Sequence, residues 1–254
     1  ANMVANEMFL DSASLRSSIV SHAKTLGYVP SSARAAKATV DVTLNTNSST
    51  ATMPAGTVFS TTVGDTTFQF STIEAFIKSN TGNSIPFVGV DIYEGTFITT
   101  RYTVDSSDID QRFLLTDNRA DTSTLIVKVQ TSSTNSTSTT FTEATDITQV
   151  TSGSNVFFLQ EVEAGLFEVY FGDGVIGTAL SDDNIVILTY VVSNKTAANG
   201  ASLFTNAATI ASVTDISVAT AATASAGSEP ESLSSIKYNA PLDFASQGRC
   251  VTAE

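Results

Sequence analysis

The sequence predicts an α+β fold that is mostly β, with antiparallel β-rich modules between an N-terminal helix and a C-terminal helical segment. Three observations carry this. Apolar residues alternate at period two from Ala38 onward, Gly- and Asn-bearing turns separate the runs, and spacings of three and four occur only at the two ends. Only 15% of residues are charged. The polar remainder is mostly Ser, Thr, Asn and Asp, which suits strands and turns better than surface helices.

Residues 5–26 read as the first helix. Leu15, Ile19, Ala23 and Leu26 recur on one face, Asp11 or Ser12 is placed to cap, Gly27 ends the helix and Pro30 prevents its resumption. Met8, Phe9 and Leu10 form an apolar cluster ahead of the cap that a short helix cannot bury alone. That face therefore packs either on its own domain or on another subunit, and Leu15, Ile19, Ala23, Leu26, Met8 and Phe9 are the candidate partner interface.

Val40, Val42 and Leu44 alternate with Thr39, Asp41 and Thr43, as in a strand with one wet face. Asn45 to Thr50 and Pro54-Ala55-Gly56 turn the chain, and Gly64-Asp65 separates Val58–Val63 from Thr67–Phe70 as in a hairpin. Phe76 to Asn80 reads as a short helix or loop. Val88, Val90 and Ile92 alternate again, and Glu94-Gly95 turns into Thr96–Val104. Leu114, then Leu125, Val127 and Val129, continue the pattern.

Residues 131–142 are Ser, Thr and Asn apart from Phe141, and read as a peripheral excursion. Strand signals resume at Val156–Leu159 and Leu166–Phe171, turn at Gly172-Asp173-Gly174, and return through Ile185, Ile187 and Leu188–Val192. Ile210, Val213, Ile216 and Val218 are spaced as short strands in an Ala- and Thr-rich stretch. At Ser228 and Glu229 a helix start appears, with Pro230 at the first helical position, Leu233 and Ile236 on the apolar face, and Pro241 as the stop. The expected organisation is 1–36 as an N-terminal helical segment, 37–130 and 131–222 as two β-rich modules, and 223–254 as the truncated start of a further domain.

With 254 residues the chain can bury at least one full core. Its net charge of −13, from 12 basic and 25 acidic residues, disfavours nonspecific attraction to nucleic acid or anionic lipid and leaves a basic partner open. No run approaches the roughly 20 apolar residues of a membrane span, so no membrane partner is expected. One cysteine, Cys250, excludes an internal disulfide.

The side chains suited to chemistry are dispersed. His22 lies in the predicted helix, far in sequence from Cys250, so a nucleophile and base pair would need a chance meeting. Asp105, Asp108 and Asp110 cluster in a loop that lacks the glycine and terminal acid of a calcium-binding EF-hand, and read as a solvated turn. Glu161, Glu163 and Glu168 read as a wet sheet face rather than a glycosidase pair. No phosphate loop or dinucleotide fingerprint is present. No catalytic residue, metal site or cofactor is expected, and the chain reads as a non-enzyme.

Several motifs, taken in order, resemble baseplate wedge proteins of contractile-tailed phages. They are Leu15-Arg16 through Gly27-Tyr28-Val29-Pro30, Pro54-Ala55-Gly56-Thr57 with Phe59, Tyr93-Glu94-Gly95, Gln111-Arg112-Phe113, Asp121-Thr122-Ser123-Thr124-Leu125, and Phe171-Gly172-Asp173-Gly174 with Gly177. The last segment is similar to the baseplate-J-like region at Pro230-Glu231, Asn239-Ala240-Pro241, Phe244, Gln247, Arg249 and Val251-Thr252-Ala253-Glu254. Asp182-Asp183-Asn184 departs where a Gly-Asn turn is common, and Cys250 departs where a small residue is usual. The resemblance implies a structural subunit of the virion, located in the tail baseplate and made in the host bacterial cytoplasm. It implies contacts with other copies of itself, with companion wedge subunits and, indirectly, with tail hub proteins. The alternative class is a β-rich adhesin or receptor-binding tail module recognising host glycans, which the absence of Trp disfavours because sugar platforms use aromatic faces.

Overall fold

The computed structural model describes residues 6–108, 111–145, 147–206 and 208–246. The chain opens with helix α1 (Arg16–Thr25), then strands β1 (Lys37–Asn45), β2 (Thr50–Met53), β3 (Val58–Val63), β4 (Thr66–Ser71), β5 (Phe76–Ser79) and β6 (Ser84–Glu94). Strands β7 (Thr96–Thr103), β8 (Phe113–Leu115), β9 (Ala120–Gln130), β10 (Ser138–Glu143), β11 (Val156–Glu161), β12 (Phe167–Phe171) and β13 (Ile185–Val192) follow. Strand β14 (Ile216–Ser225) and helix α2 (Leu233–Ser246) close the described chain. The mostly β class with a helix at each end is the observed one.

A five-stranded sheet, in the order β14-β1-β6-β4-β3, forms the first body. The alternation read from Val40, Val42 and Leu44 is real: these three are fully buried, with Phe59, Phe70, Ile85, Phe87 and Ile92 completing the core. Val88 departs from the expected alternation. It is exposed, because Val40 pairs with Val90 while Val42 pairs with Phe87, and the extra residue at Gly89 is a bulge that flips the side-chain parity. The Gly89 N–H leaves the ladder and donates to Asp41 Oδ1 at 2.7 Å. Phe76–Ser79 is a strand paired with β2, not a helix or loop, since its polar neighbours conceal the pairing.

The second body is a seven-stranded sheet, β7-β13-β9-β10-β11-β12-β8, curled until its terminal strands face each other. Tyr102 Oη on β7 donates to the Leu114 carbonyl on β8 at 2.7 Å, and the Tyr102 and Phe113 rings meet edge to face. Phe113, Phe141 and Phe171 continue this edge-to-face chain through the barrel core. Buried Phe141 corrects the reading of 131–142 as an excursion. Residues from Ser138 form β10, antiparallel to β9 and parallel to β11, so only the stretch before Ser138 is a loop.

The barrel is an insertion. The chain leaves the five-stranded sheet at Glu94, builds the barrel from Thr96 to Val192, and returns through Asn194 toward β14, which pairs with β1. The sheet pairings therefore cross the expected 130/131 boundary. One core gathers residues from 36–92 and 198–224, and the other gathers residues from 104–192. At the crossing, the buried Glu94 carboxylate accepts from Asn194 N–H at 2.8 Å and from Asn194 Nδ2 at 2.7 Å. Burial pushes the Glu94 carboxyl above its ordinary range. Gly95 is required here, because its φ is +123° and a Cβ would run into the Val192 carbonyl.

Candidate assembly interface

The two ends of the described chain meet as a helix pair. Arg34 and Ser228 bridge antiparallel, and Ile19, Val20 and Ala23 of α1 bury against Ile236 and Ala240 of α2. The predicted interface face is thus split. Ile19 and Ala23 belong to the chain's own core, Leu26 is half-buried at its edge, and Leu15, Met8 and Phe9 are exposed. Phe9 is 67% exposed, and Tyr238, Leu242 and Phe244 of α2 are also open to solvent. The apolar surface left uncovered by the helix pair lies on the segment before α1 and on the outer side of α2.

Helix α1 begins at Arg16, later than the spacing predicts, and neither Asp11 nor Ser12 caps it. Ser12 Oγ donates instead to the Asn6 carbonyl at 2.6 Å. Glu7 instead fixes the turn that leads into the helix: its carboxylate accepts from Ser14 N–H, Ser14 Oγ and Leu15 N–H at 2.9, 2.7 and 3.2 Å. The Ser14 hydroxyl and then its N–H hold this carboxyl at about 2. His22 Nε2 lies 2.9 Å from the Glu7 carbonyl.

Helix α2 starts at Leu233, so Pro230 precedes it, and Ser232 Oγ accepts the Ser235 N–H at 3.2 Å as its cap. Pro241 does not stop α2 but sits inside it. The proline costs one intrahelical hydrogen bond, whereas its φ is helical, and burial of Ile236 and Ala240 holds the preceding turns in place.

Two carboxylates bind the helix pair together and to the barrel. Glu231 accepts from Tyr28 Oη at 2.8 Å, Ser31 N–H at 3.1 Å, Ser235 Oγ at 2.6 Å and Asn239 Nδ2 at 2.9 Å. Burial pushes the Glu231 carboxyl up, but these four donors outweigh it and leave the group below its ordinary range. The same contact, after burial itself, drives the Tyr28 phenol up to about 12. Arg16 forms a two-point pair with Glu161 of β11, at 2.6 and 2.8 Å, while its third nitrogen donates to the Glu231 carbonyl at 2.7 Å.

Glu161 and Glu168 are therefore not a wet sheet face. Both are buried, and Glu168 accepts from Arg112 at 2.7 Å and Gln160 at 3.1 Å. Sequence spacing missed them because each partner is distant along the chain; the available signal was a pair of arginines in a chain poor in basic residues. Glu163 stands outside the ladder in a short 3-10 turn.

A cavity of about 440 Å³ lies between Leu15, Arg16, Asn118, Glu161, Phe167 and Lys195. Its charged groups are already committed, Arg16 to Glu161 and Lys195 to Glu229. Among the described residues no group of three or more His, Cys, Asp or Glu is placed to hold a metal ion. Asp105 is taken up by the Ser107 hydroxyl and N–H, which lower its pKa. Asp110 lies outside the described residues.

The Phe171–Gly177 motif forms a compact surface loop. Asp173 Oδ1 accepts the N–H groups of Val175 and Ile176 at 2.9 and 3.0 Å, and both apolar side chains are left exposed. Gly172 is needed because a Cβ would meet the Ile176 carbonyl. The C-terminal motif residues Gln247, Arg249, Cys250 and Val251–Glu254 lie outside the described residues.

Two interlocked β bodies, committed polar groups and a partly uncovered apolar helix pair are what the described residues present. No family model matches the chain. Among curated proteins it is similar to the baseplate wedge protein gp6 of Enterobacteria phage T4, 26% identical over 279 aligned positions, which take in 99% of this chain and 41% of gp6. The chain thus spans about two fifths of the length of that relative. The similarity supports a baseplate-associated phage protein with a structural role.

Proposed function

We propose that the chain is a non-catalytic structural part of a phage tail baseplate wedge, of the baseplate-J-like kind, which binds companion wedge subunits and other copies of itself in the ring around the tail hub. The observation that carries this reading is a similarity to gp6 that runs through 99% of the chain rather than through one motif. The fold is consistent with a load-transmitting part: Arg16–Glu161 joins the helix pair to the barrel, and Glu94–Asn194 joins the barrel to the five-stranded sheet. Met8, Phe9, Leu15, Tyr238, Leu242 and Phe244 supply the apolar surface for a companion subunit.

The test is incorporation. Phe9→Asp with Leu15→Asp alters exposed side chains only, so the variant should fold, fail to enter purified tails and lose companion subunits in pull-down. Normal incorporation would remove this surface from the reading. Location at fibre tips with glycan binding would replace the reading with an adhesin.

A further inference from the structure

Sheet edges attract foreign strands, and folded proteins normally shield them with charges, bulges, short strands or covering segments. The edges of this molecule can be compared on that basis. Strand β3 is strapped by Thr205, which exchanges N–H and carbonyl bonds with Ser60 at 2.8 and 2.9 Å, and by Asn206 Nδ2 on the Val58 carbonyl. Strand β7 carries Arg101, and β8 is only Phe113–Leu115. On β14, Ala224 is covered by Gly200 and Ala201, at 2.7 and 2.8 Å, and the register against β1 is irregular between Thr220 and Ser225. Among the described residues none of these devices operates from Ile216 to Ala219, and at Thr220 the covering segment engages only the hydroxyl, through the Ser202 carbonyl. The register is regular, the residues are uncharged, and β14 is the terminal strand of its sheet.

From these observations we infer that Ile216–Thr220 is a seam at which a second copy of this chain adds its own β14 antiparallel, extending the five-stranded sheet across a twofold axis. The inference deepens the wedge reading and rests on it for its biological setting.

Charge selects a second copy over another occupant. The chain carries −13, yet between Lys195 and Glu229 its sole charged residue is Asp215. A basic partner would be met by acidic surface, whereas two like-charged copies can approach only over a charge-free one. The nearest acid on the adjoining strand, Asp41, lies on the wet face and bonds across to the Gly89 N–H of β6, on the side of β1 away from β14. Self-pairing about Ser217, Val218 or Ala219 places Asp215 opposite an uncharged residue in every case. The core side gains as well. Ile216 and Val218 reach the core yet are only half-buried, and a neighbouring strand completes their cover. Leu203, beside the Ser202 carbonyl that accepts from Thr220 Oγ1, is 80% exposed and lies against the same edge. The pairing is short, so it is a weak contact in solution and gains strength from the ring.

Cysteines are introduced singly at Ser217 and Ala219 in a Cys250→Ser chain, and the two proteins are oxidised separately and as an equimolar mixture. At least one of the three preparations should give a covalent dimer, and none doing so overturns the seam. Sedimentation over a concentration series gives the second readout. The parent chain should dimerise weakly, and Ala219→Lys, an exposed position whose change leaves the fold intact by circular dichroism, should weaken dimerisation at least tenfold. A parent that is monomeric throughout, or a lysine variant that dimerises equally well, also overturns it. A chain found in purified tails but without the cross-link sinks the seam and leaves the wedge reading standing; a cross-linked chain absent from tails does the reverse.

Discussion

The barrel and the five-stranded sheet use the same period-two chemistry and end differently. The barrel curls until β7 and β8 meet at Tyr102, Phe113 and the Leu114 carbonyl. The five-stranded sheet stays open, strapped along β3 and bare along part of β14. A curled sheet brings its end strands together, here through side-chain contacts and not a β7–β8 ladder, whereas an open one leaves an end strand with backbone groups with which to extend. Curled and extensible sheets are thus divided between two bodies in one chain, and the helix pair is clamped to the curled one through Arg16 and Glu161.

The largest test asks whether the two bodies are separate cooperative units. Phe87→Ala empties a fully buried site in the open sheet and should cost about 4 kcal/mol. Hydrogen exchange should quicken in β1, β6 and β14, while β9 and β13 keep their protection; equal loss in both would show one cooperative core and end the contrast.

Next comes the clamp. Arg16→Ala leaves the buried Glu161 carboxylate uncompensated and should cost about 3 kcal/mol, less than a fully buried pair because the arginine is partly exposed. Replacing both, Arg16→Met with Glu161→Leu, should restore most of the loss in a denaturant titration. No recovery would mean that the arginine acts chiefly through the Glu231 carbonyl.

Gly95→Ala tests the crossing and should cost about 2 kcal/mol, from positive φ and the collision with the Val192 carbonyl. Its signature is loss of exchange protection at Asn194 without barrel unfolding.

Glu231→Gln should cost about 1 kcal/mol at neutral pH, since one acceptor oxygen becomes a donor among four donors. The sign with pH follows from a carboxyl held below its ordinary value of 4.5. Its contribution is complete above that value and is lost as pH falls through the lower folded-state value. Wild type and variant should therefore converge in thermal stability under acid, and a constant gap down to the acid transition would contradict the assignment. The smallest effect belongs to the loop ahead of β10: shortening the exposed stretch before Ser138 should cost under about 0.5 kcal/mol, whereas removing Phe141 with it should break the barrel.

What the residues disclose before folding is set by range. Strand β1, the β3–β4 hairpin and the core side of α1 could be read because period and turn chemistry act over a few neighbours. The Gly89 bulge could not, since one extra residue reverses parity without changing composition. Strand β10 was concealed because five of its six residues are polar and its identity comes from pairing on both sides. The interface residues divided for a related reason. The helical face including Ile19 and Ala23 was legible, but its occupant, α2, arrives from the far end of the sequence. Glu7 binding Ser14 and Arg16 finding Glu161 are likewise contacts that spacing rules do not reach.

The insertion also orders events in time. Strand β1 cannot complete its sheet until β14 has been synthesised, because Leu44 pairs with Ile216 and Lys37 with Ser225. The barrel between them is finished earlier on the ribosome, and once folded it brings Glu94 and Asn194 together. A long, entropically costly closure becomes a short one, so the barrel acts as an internal nucleus for the body that surrounds it. Stalling synthesis after Val192 should leave a protease-resistant barrel beside a β1 that is paired with β6 alone.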